Sequence, residues 1–318
     1  MADAVGVERA DRDRPGSRGG TVRLPTFIMI GAAKAGTTAL YWYLAEHPQV
    51  FMSRLKETNY FAYGVGGDGR LLYGDPELHS FPVRTIDEYE ALFAGAAEAR
   101  AVGEISPIYL ESPHAATRIH ETLPQADILG VIRHPVDRAY SDYQMYLRSR
   151  GRRLEPGRDL TVSSAWAQPN SHWMRIGRYH EALSRYFAVY PRERVHVFLF
   201  DDLRRDPIGF VRELYRCVGV DTGFVPDLDT PHNVGGVPAS MLVERLLMSK
   251  RIKAAIEPWV PKPVADLARH VRTRNLRRAP ALPADVRSEL IEHFREDILK
   301  TSDLIGRSLA HWLEPRPA

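Results

Sequence analysis

The chain has 318 residues, of which 44% are hydrophobic and 26% charged, and its formal net charge is +3. This composition is that of a globular protein with one large or two small domains, and so small a charge does not by itself indicate a nucleic-acid partner. No run approaches the roughly 18 apolar residues of a membrane span, and the N-terminus lacks a signal-peptide pattern. Because the single cysteine, Cys217, cannot form an internal disulfide, we expect a reducing, cytoplasmic location.

The first 24 residues are small, charged and aperiodic, which predicts a disordered tail before a single domain over residues 25–318. A buried strand is predicted at residues 27–30, and it breaks at Gly31. A helix follows from Thr37. Within the domain we predict an α/β core over about 26–220 and a helical part over about 238–314.

Four further apolar runs predict strands, and helical patterns follow them. The runs span residues 49–52, 101–104, 126–132 and 195–200. Thr85 and Glu88 form a capping-box pattern before one of the helices. Long connections are predicted at 62–84 and 149–172. Alternating strands and helices favour parallel pairing, so the expected fold is an α/β, P-loop-like three-layer fold with a central, mostly parallel sheet and a helical C-terminal region.

The junction between the first strand and helix has the composition of a phosphate-binding loop. It reads Gly31-Ala-Ala-Lys34-Ala-Gly36-Thr37-Thr38. A helix N-terminus carries about half a positive charge, and Lys34 adds a full one. The Walker pattern has its Lys directly after the second Gly, whereas here Thr37 stands there and the Lys comes earlier. The alternative is a glycine-rich turn that serves packing only.

Reactive side chains follow several of the predicted strands. They belong to the Lys34 loop, to Lys56 and Glu57, to the stretch from Glu104 to Ser106, and to Arg133. In an open parallel sheet the ligand binds beyond the carboxyl ends of the strands, so the fold would bring these groups together. Two cations, hydroxyls and a carboxylate suit the transfer of an anionic group to an acceptor that loses a proton.

Five segments resemble motifs of sulfotransferases that use 3′-phosphoadenylyl sulfate (PAPS). Gly31 to Thr38 looks like their 5′-phosphosulfate loop. The segment from Ile132-Arg133-His-Pro135 to Ser141 looks like their 3′-phosphate motif. Three more are similar to segments of the heparan-type carbohydrate branch and its bacterial relatives: Lys56-Glu57-Thr-Asn-Tyr60-Phe61, Glu104-Ile-Ser-Pro107-Ile-Tyr109 and Gly177-Arg-Tyr179. The resemblance covers residues 26 to about 240.

The resemblance implies a PAPS co-substrate, PAP as the product and no required metal. The implied nucleotide-binding residues are Lys34, Ala35, Gly36, Thr37, Thr38, Arg133 and Ser141. Lys34 would neutralise the oxygen that leaves the sulfuryl group. Arg133 offers a planar fork for a phosphate, and Ser141 adds a hydroxyl. Glu57 is the candidate general base, a role that contributes about 10²–10⁴-fold. A surface ion pair with Lys56 is the alternative for Glu57.

Six further residues are candidates for acceptor contacts or supporting roles: Lys56, Glu104, Ser106, Tyr179, Gly235 and Gly236. Glu104 is the second candidate for the acid or base. Gly235 and Gly236 could offer N–H groups to the 3′-phosphate. The chain has Ile105 where the heparan-type enzymes tend to carry a Lys, which implies that it lacks one of their contacts to an anionic sugar. His134 is expected to be structural.

Two other functions are compatible with the sequence. In a P-loop kinase, Lys34 would hold ATP and Asp201 or Asp202 would bind Mg²⁺, although we interpret both acids as helix N-caps. In a non-catalytic anion-binding protein, the segment 248–278, with nine Lys or Arg and two acids, would hold the ligand. The expected partner is a small-molecule or glycan acceptor, and the sequence identifies neither the acceptor nor the oligomeric state.

Overall fold

The computed structural model describes residues 23–63, 82–230, 237–238, 240, 275–277 and 279–314. Several of the sequence predictions lie outside these residues. They are the tail up to residue 22, the loop from 64 to 81, the pair Gly235 and Gly236, and the basic segment apart from 275–277.

Five parallel strands form the central sheet, as predicted. They are β1 (Phe27–Gly31), β2 (Val50–Met52), β3 (Ala101–Ile105), β4 (Asp127–Ile132) and β5 (Val195–Leu199), in the order β2-β3-β1-β4-β5. A separate two-residue ladder pairs β6 (Val237–Pro238) antiparallel with β7 (Leu276–Arg277). Because β1 lies between β3 and β4, its carboxyl end is flanked by the ends of both.

The helices follow the strands in the predicted alternation. They are α1 (Thr37–Glu46), α2 (Ile86–Ala91), α3 (Ile108–Glu111), α4 (Ala115–Thr122), α5 (Pro135–Ser149), α6 (Pro156–Asp159), α7 (His172–Arg175), α8 (Tyr179–Val189), α9 (Phe200–Arg205), α10 (Pro207–Cys217) and α11 (Ala284–Ile305), with 3₁₀ turns at Tyr60–Ala62, Arg192–Arg194 and Ala310–Trp312. The capping box at Thr85 and Glu88 is confirmed. In the described part of the chain, no helix combines the length and apolarity that a bilayer crossing requires.

Every residue of the central strand β1 is buried. A strand covered on both faces needs an apolar run without alternation, which is the pattern that predicted this strand. Phe27 pairs in register with Gly103 of β3. The Phe27 ring occupies the space above that glycine, and a Cβ at Gly103 would lie only 2.1 Å from it. This close approach requires a glycine at residue 103.

The last described helix, α11, packs against α8 and α5 near the end of β4. Its buried apolar residues recur with helical period at Leu290, Ile291, Phe294 and Ile298. Phe294 lies about 3.1 Å from where a Cβ of Gly177 would be, just before α8. The C-terminal part therefore lies behind the strand end that carries Arg133.

Candidate active site

The predicted anion cradle is the N-terminus of α1. Gly36, the N-cap residue, is left-handed with φ of 89°, and no side chain caps the helix. The N–H groups of Thr37, Thr38 and Ala39 therefore begin the helix without intrahelical partners. A Cβ at Gly36 would also lie about 3.0 Å from the Phe200 ring. Backbone conformation and close packing both require glycine here, and the result is a set of N–H groups that can bind an anion.

Lys34 is half-buried in the same loop, next to the fully buried Ala35. Its Nζ lies 3.3 Å from the Met145 Sδ on α5. Desolvation lowers the pKa of Lys34 to about 8, and nearby Asp142 opposes this shift. Three arginines lower it further: Arg148, Arg133 and Arg138. A cation held among other cations is poised to bind an anionic group, which would relieve their mutual repulsion.

Arg133 follows β4 directly and contacts the Lys34 loop. Its Nη1 donates a hydrogen bond of 3.0 Å to the Lys34 carbonyl. The guanidinium carbon lies 5.0 Å from the centre of the Phe200 ring, a cation–π distance. The structure thus brings together the two motifs that the sequence predicts to bind the two ends of one ligand.

Ser141 lies on α5 after Arg133 and is half-buried. Near it, a buried ion pair joins Arg138 and Asp142, with 3.3 Å between Nη1 and Oδ2. Arg138 also donates to the Trp173 carbonyl, while its Nε has no partner among the described residues. Neither Arg138 nor Asp142 has a role predicted from the sequence, although their i, i+4 spacing could have suggested the pair.

Glu57 lies in the segment that follows β2, as predicted, and its N–H donates to the Ile105 carbonyl at the end of the neighbouring strand β3 at 3.0 Å. Its side chain is 47% exposed and forms an ion pair with Lys56. In the described part of the chain, the non-glycine residues with positive φ are Lys34, Glu57 and Asn59. Such backbone conformations are costly for most residues and cluster at functional sites. Two of these three residues are the predicted catalytic ones.

Glu104 has a very different environment from Glu57, because it is completely buried within β3. Four hydroxyl groups donate to its carboxylate: Thr58 at 2.6 Å, Tyr109 at 2.8 Å, Tyr89 at 3.0 Å and Ser106 at 3.3 Å. Burial raises the pKa of Glu104, and the hydroxyl donors oppose the shift. The Ser106 hydroxyl also accepts from the Asn59 N–H at 3.1 Å. This network anchors the segment that follows Glu57.

Tyr179, a predicted acceptor or supporting residue, is almost completely buried. Its hydroxyl donates a 2.7 Å hydrogen bond to the Arg133 carbonyl. His134 is also buried, and its Nδ1 accepts from the Val136 N–H at the start of α5, which is a structural role as expected. Tyr179 and His134 therefore help to fix the backbone between the end of β4 and the start of α5.

The prediction that Asp201 and Asp202 cap a helix is wrong. The helix α9 begins at Phe200, so both acids lie inside its first turn, where the N–H groups still favour negative charge. Asp201 accepts from Trp312 Nε1 at 2.7 Å, and Asp202 accepts from Arg307 at 2.8 Å. The acids connect β5 to the C-terminal segment, which does not favour the Mg²⁺-binding role of a kinase.

Comparison with known proteins identifies the family of the chain. A sequence model of the Sulfotransferase family matches residues 25–223. The bifunctional heparan sulfate N-deacetylase/N-sulfotransferase of Drosophila melanogaster is 28% identical over 208 residues, which are 62% of this chain and 20% of that protein. Human heparan sulfate glucosamine 3-O-sulfotransferase 6 is 27% identical over 219 residues, covering 65% of this chain and 58% of that protein. The chain thus spans between one fifth and three fifths of the length of these relatives.

A solved structure extends the comparison to the fold. The crystal structure of a sulfotransferase from Alicyclobacillus acidocaldarius has 29% sequence identity and a TM-score of 0.65, and the match covers 92% of this chain and 100% of that one. This chain and that sulfotransferase therefore share an α/β, P-loop-like fold, which in this chain has a central parallel sheet of five strands. The matched region contains the strand ends at Lys34, Glu57 and Arg133. This chain therefore belongs to the sulfotransferase family.

Proposed function

We propose that the protein transfers a sulfuryl group from PAPS to an hydroxyl of a carbohydrate or natural-product acceptor. The observation that carries the proposal is the direct hydrogen bond between Arg133 and the Lys34 loop. It joins two cationic positions on neighbouring strands, and PAPS carries anionic groups at two separate positions. A donor with phosphate at one end only would leave one of these positions without a function.

The residues of the Lys34 loop, between β1 and α1, fit the phosphosulfate end of such a donor. The N–H groups of Thr37 and Thr38, together with their hydroxyls, can bind the 5′-phosphate at the start of α1. Gly36 lets the chain turn into that position, and the buried Ala35 anchors the loop. Arg133 and Ser141 would bind the 3′-phosphate, with the guanidinium presenting a planar fork.

PAPS supplies an activated sulfuryl group, and the chain supplies the groups that move a proton and stabilise charge. Glu57 would accept the proton of the acceptor hydroxyl as the new O–S bond forms. Lys34 would stabilise the negative charge on the phosphate oxygen as the old S–O bond breaks. A preorganised donor at this position contributes about 10²–10³-fold to the rate.

Glu57 is a better candidate for the base than Glu104, because access differs between them. About half of the Glu57 side chain is exposed, so an acceptor can reach it. Glu104 accepts hydrogen bonds from four hydroxyl groups, and some of these bonds would have to break before it could receive a proton from a substrate. We assign Glu104 and Ser106 to the support of the Glu57 segment. Lys56 would orient the Glu57 carboxylate between turnovers.

The names of the relatives support a carbohydrate acceptor, since both compared eukaryotic enzymes are described as acting on heparan sulfate. The proposal also includes an hydroxyl group of a natural product as the acceptor. The reaction is the same for both classes, so a panel of sugars and small hydroxyl compounds assayed with PAPS would identify the acceptor.

A binding measurement tests the donor. PAP should bind the purified protein at micromolar concentration, measured by thermal shift and titration calorimetry, and Arg133→Ala should weaken this binding by about 10- to 100-fold, which calorimetry can still measure. ADP, which lacks the 3′-phosphate, should bind much more weakly because Arg133 and Ser141 gain no partner. The exposed Arg212 on α10 provides a control, since Arg212→Ala should leave PAP binding unchanged.

Failure would take one of two forms. If PAP does not bind the wild-type protein, the sulfotransferase proposal is wrong. If phosphoryl transfer from ATP occurs and disappears on chelation of Mg²⁺, the protein is a kinase instead. Sulfuryl transfer that persists in excess chelator is the expected outcome.

A further inference from the structure

We propose that Asp297, on the C-terminal helix α11, is a positioning residue for Arg133 and acts through Tyr179. The proposal rests on the proposed role of Arg133 in binding the 3′-phosphate. It assigns part of the C-terminal helix to the nucleotide site, although that helix lies outside the region matched by the family model.

Asp297 caps a helix to which it does not belong. The N-cap residue of α8, Arg178, forms no side-chain cap. Instead, the Asp297 carboxylate accepts from the Tyr179 N–H at 2.8 Å and from the His180 N–H at 3.2 Å. An acceptor from another element thus binds two of the N–H groups that a helix start leaves without partners, and fixes the start of α8 relative to α11.

The capped turn holds Tyr179 against the backbone of Arg133. The Tyr179 hydroxyl donates at 2.7 Å to the Arg133 carbonyl, and the ring is buried, so it has little freedom to move. Arg133 lies between the end of β4 and Pro135, the first residue of α5. Its guanidinium then reaches the Lys34 carbonyl at 3.0 Å. A continuous set of hydrogen bonds therefore runs from α11 to the anion cradle.

The partners of Asp297 favour a geometric role over an electrostatic one. Within the described residues, no Lys or Arg forms an ion pair with it; its hydrogen-bond partners are two backbone N–H groups and, at 3.4 Å, the Thr301 hydroxyl, and the His180 side chain adds an electrostatic attraction smaller than the effect of the two N–H groups. Burial raises the pKa of Asp297, and the two N–H groups oppose that shift. A desolvated carboxylate with backbone partners defines the position of the chain to which it is bound.

Titration calorimetry with PAP tests the proposal in four variants. Asp297→Ala and Tyr179→Phe should each weaken PAP binding about fivefold, the usual value of one hydrogen bond, and raise the KM for PAPS without a matching fall in kcat. Asp297→Asn, which keeps an acceptor oxygen, should restore part of the affinity. Glu296→Gln changes the exposed neighbour that pairs with Lys300 and should have no effect.

The decisive comparison uses the Arg133→Ala background. There, Asp297→Ala should not weaken PAP binding further, because the group that it positions is gone. An equal loss in both backgrounds would overturn the proposal, as would wild-type affinity in Tyr179→Phe, a variant that removes one hydroxyl and keeps the ring.

Hydrogen exchange separates this proposal from the proposed function, since it needs no nucleotide. Asp297→Ala should increase exchange in peptides that cover the start of α8 and residues 131–138, whereas Glu296→Gln should not. If wild-type protein fails to bind PAP, the proposed function is wrong, and exchange at residues 131–138 still decides whether Asp297 positions this strand end. Unchanged exchange at 131–138 would contradict the proposal.

Discussion

The ends of β3 and β4 lie on either side of β1, and each has a functional side chain beside it, Glu57 at β3 and Arg133 at β4. The two side chains are supported in opposite ways. At β3, Glu57 is held through its backbone, and its carboxylate is about half exposed. At β4, the Arg133 guanidinium itself donates a hydrogen bond to the Lys34 carbonyl and packs over the Phe200 ring. One end leaves the side chain accessible, and the other restrains it.

The difference follows from the tasks that we propose for the two ends. A general base must receive a proton from a substrate that enters and leaves, so its carboxylate has to be reachable. A phosphate-binding cation meets the same group in every cycle, and restraint before binding lowers the entropy lost on binding. At β3, the hydrogen-bond network of Glu104 therefore holds the backbone near Glu57 and leaves the Glu57 side chain free to meet the substrate. At β4, the contacts restrain the Arg133 side chain itself.

Removing the carboxylate of Glu57 should have the largest effect. Glu57→Gln keeps the shape of the side chain but cannot accept the proton, so turnover should fall by about 10²–10⁴-fold. PAP affinity should stay within twofold, because the change is at the β3 end. Turnover assays with calorimetry check both values, and exposed Glu98→Gln is the control. Wild-type turnover in Glu57→Gln would remove its assignment as the base.

Lys34→Ala should have the next largest effect. Loss of the cation at the leaving oxygen should lower kcat/KM for PAPS by about 10²–10³-fold. Because Lys34 lies between the two ends, the variant should impair both transfer and PAP binding, unlike Glu57→Gln. A variant that loses binding alone, with kcat unchanged at saturating PAPS, would contradict a role for Lys34 in the chemical step.

The lowered pKa of Lys34 predicts how PAP affinity depends on pH. Only the protonated amine attracts the anion, and its pKa in the protein is about 8. As the pH rises above 8, the Kd for PAP should therefore increase by up to tenfold per pH unit, while the charge of PAP stays constant because its phosphates are already ionised. Lys34→Arg cannot lose its proton in this range and should remove the slope. Equal slopes in both proteins would contradict the prediction.

Glu104→Gln should affect transfer least and stability most. At low pH the amide carries two N–H donors where the protonated carboxyl carries one O–H, so it accepts from fewer of the four surrounding hydroxyls, and the free energy of unfolding should fall by about 1–3 kcal/mol. Burial raises the pKa of Glu104, so the folded state binds its proton more tightly than the unfolded state. This contribution is fully present below the unfolded pKa of about 4.3 and decreases as pH rises through the raised value.

Denaturant titrations of both proteins from pH 4 to 8 check this effect. The advantage of the wild type over Glu104→Gln should be largest at the acid end and shrink with increasing pH. An advantage that grows with pH would mean that the ionised carboxylate is the stabilising form. A large loss of turnover in a folded Glu104→Gln protein would place Glu104, instead of Glu57, in the chemistry.

Much of the framework could be predicted from local patterns. The continuous apolar runs identified β1 and β4, because strands covered on both faces need no alternation. The capping box at Thr85 was visible because its partners are three residues apart. Short helices such as α3 were missed, since four residues give no measurable period. The N-cap of α9 was predicted at 201 or 202 but lies at Leu199, two or three residues earlier, because the helix begins directly after its strand.

The sequence by itself determined the order of the strands along the chain and the chemical groups at their ends, since both depend on neighbouring residues. Only the tertiary structure decided that Glu104 is enclosed while Glu57 is accessible. It also decided that Tyr179 contacts the Arg133 carbonyl, 46 residues away, and that Asp297 binds the Tyr179 N–H, 118 residues away. Such contacts depend on how helices pack against the sheet, and no local pattern of residues encodes that packing.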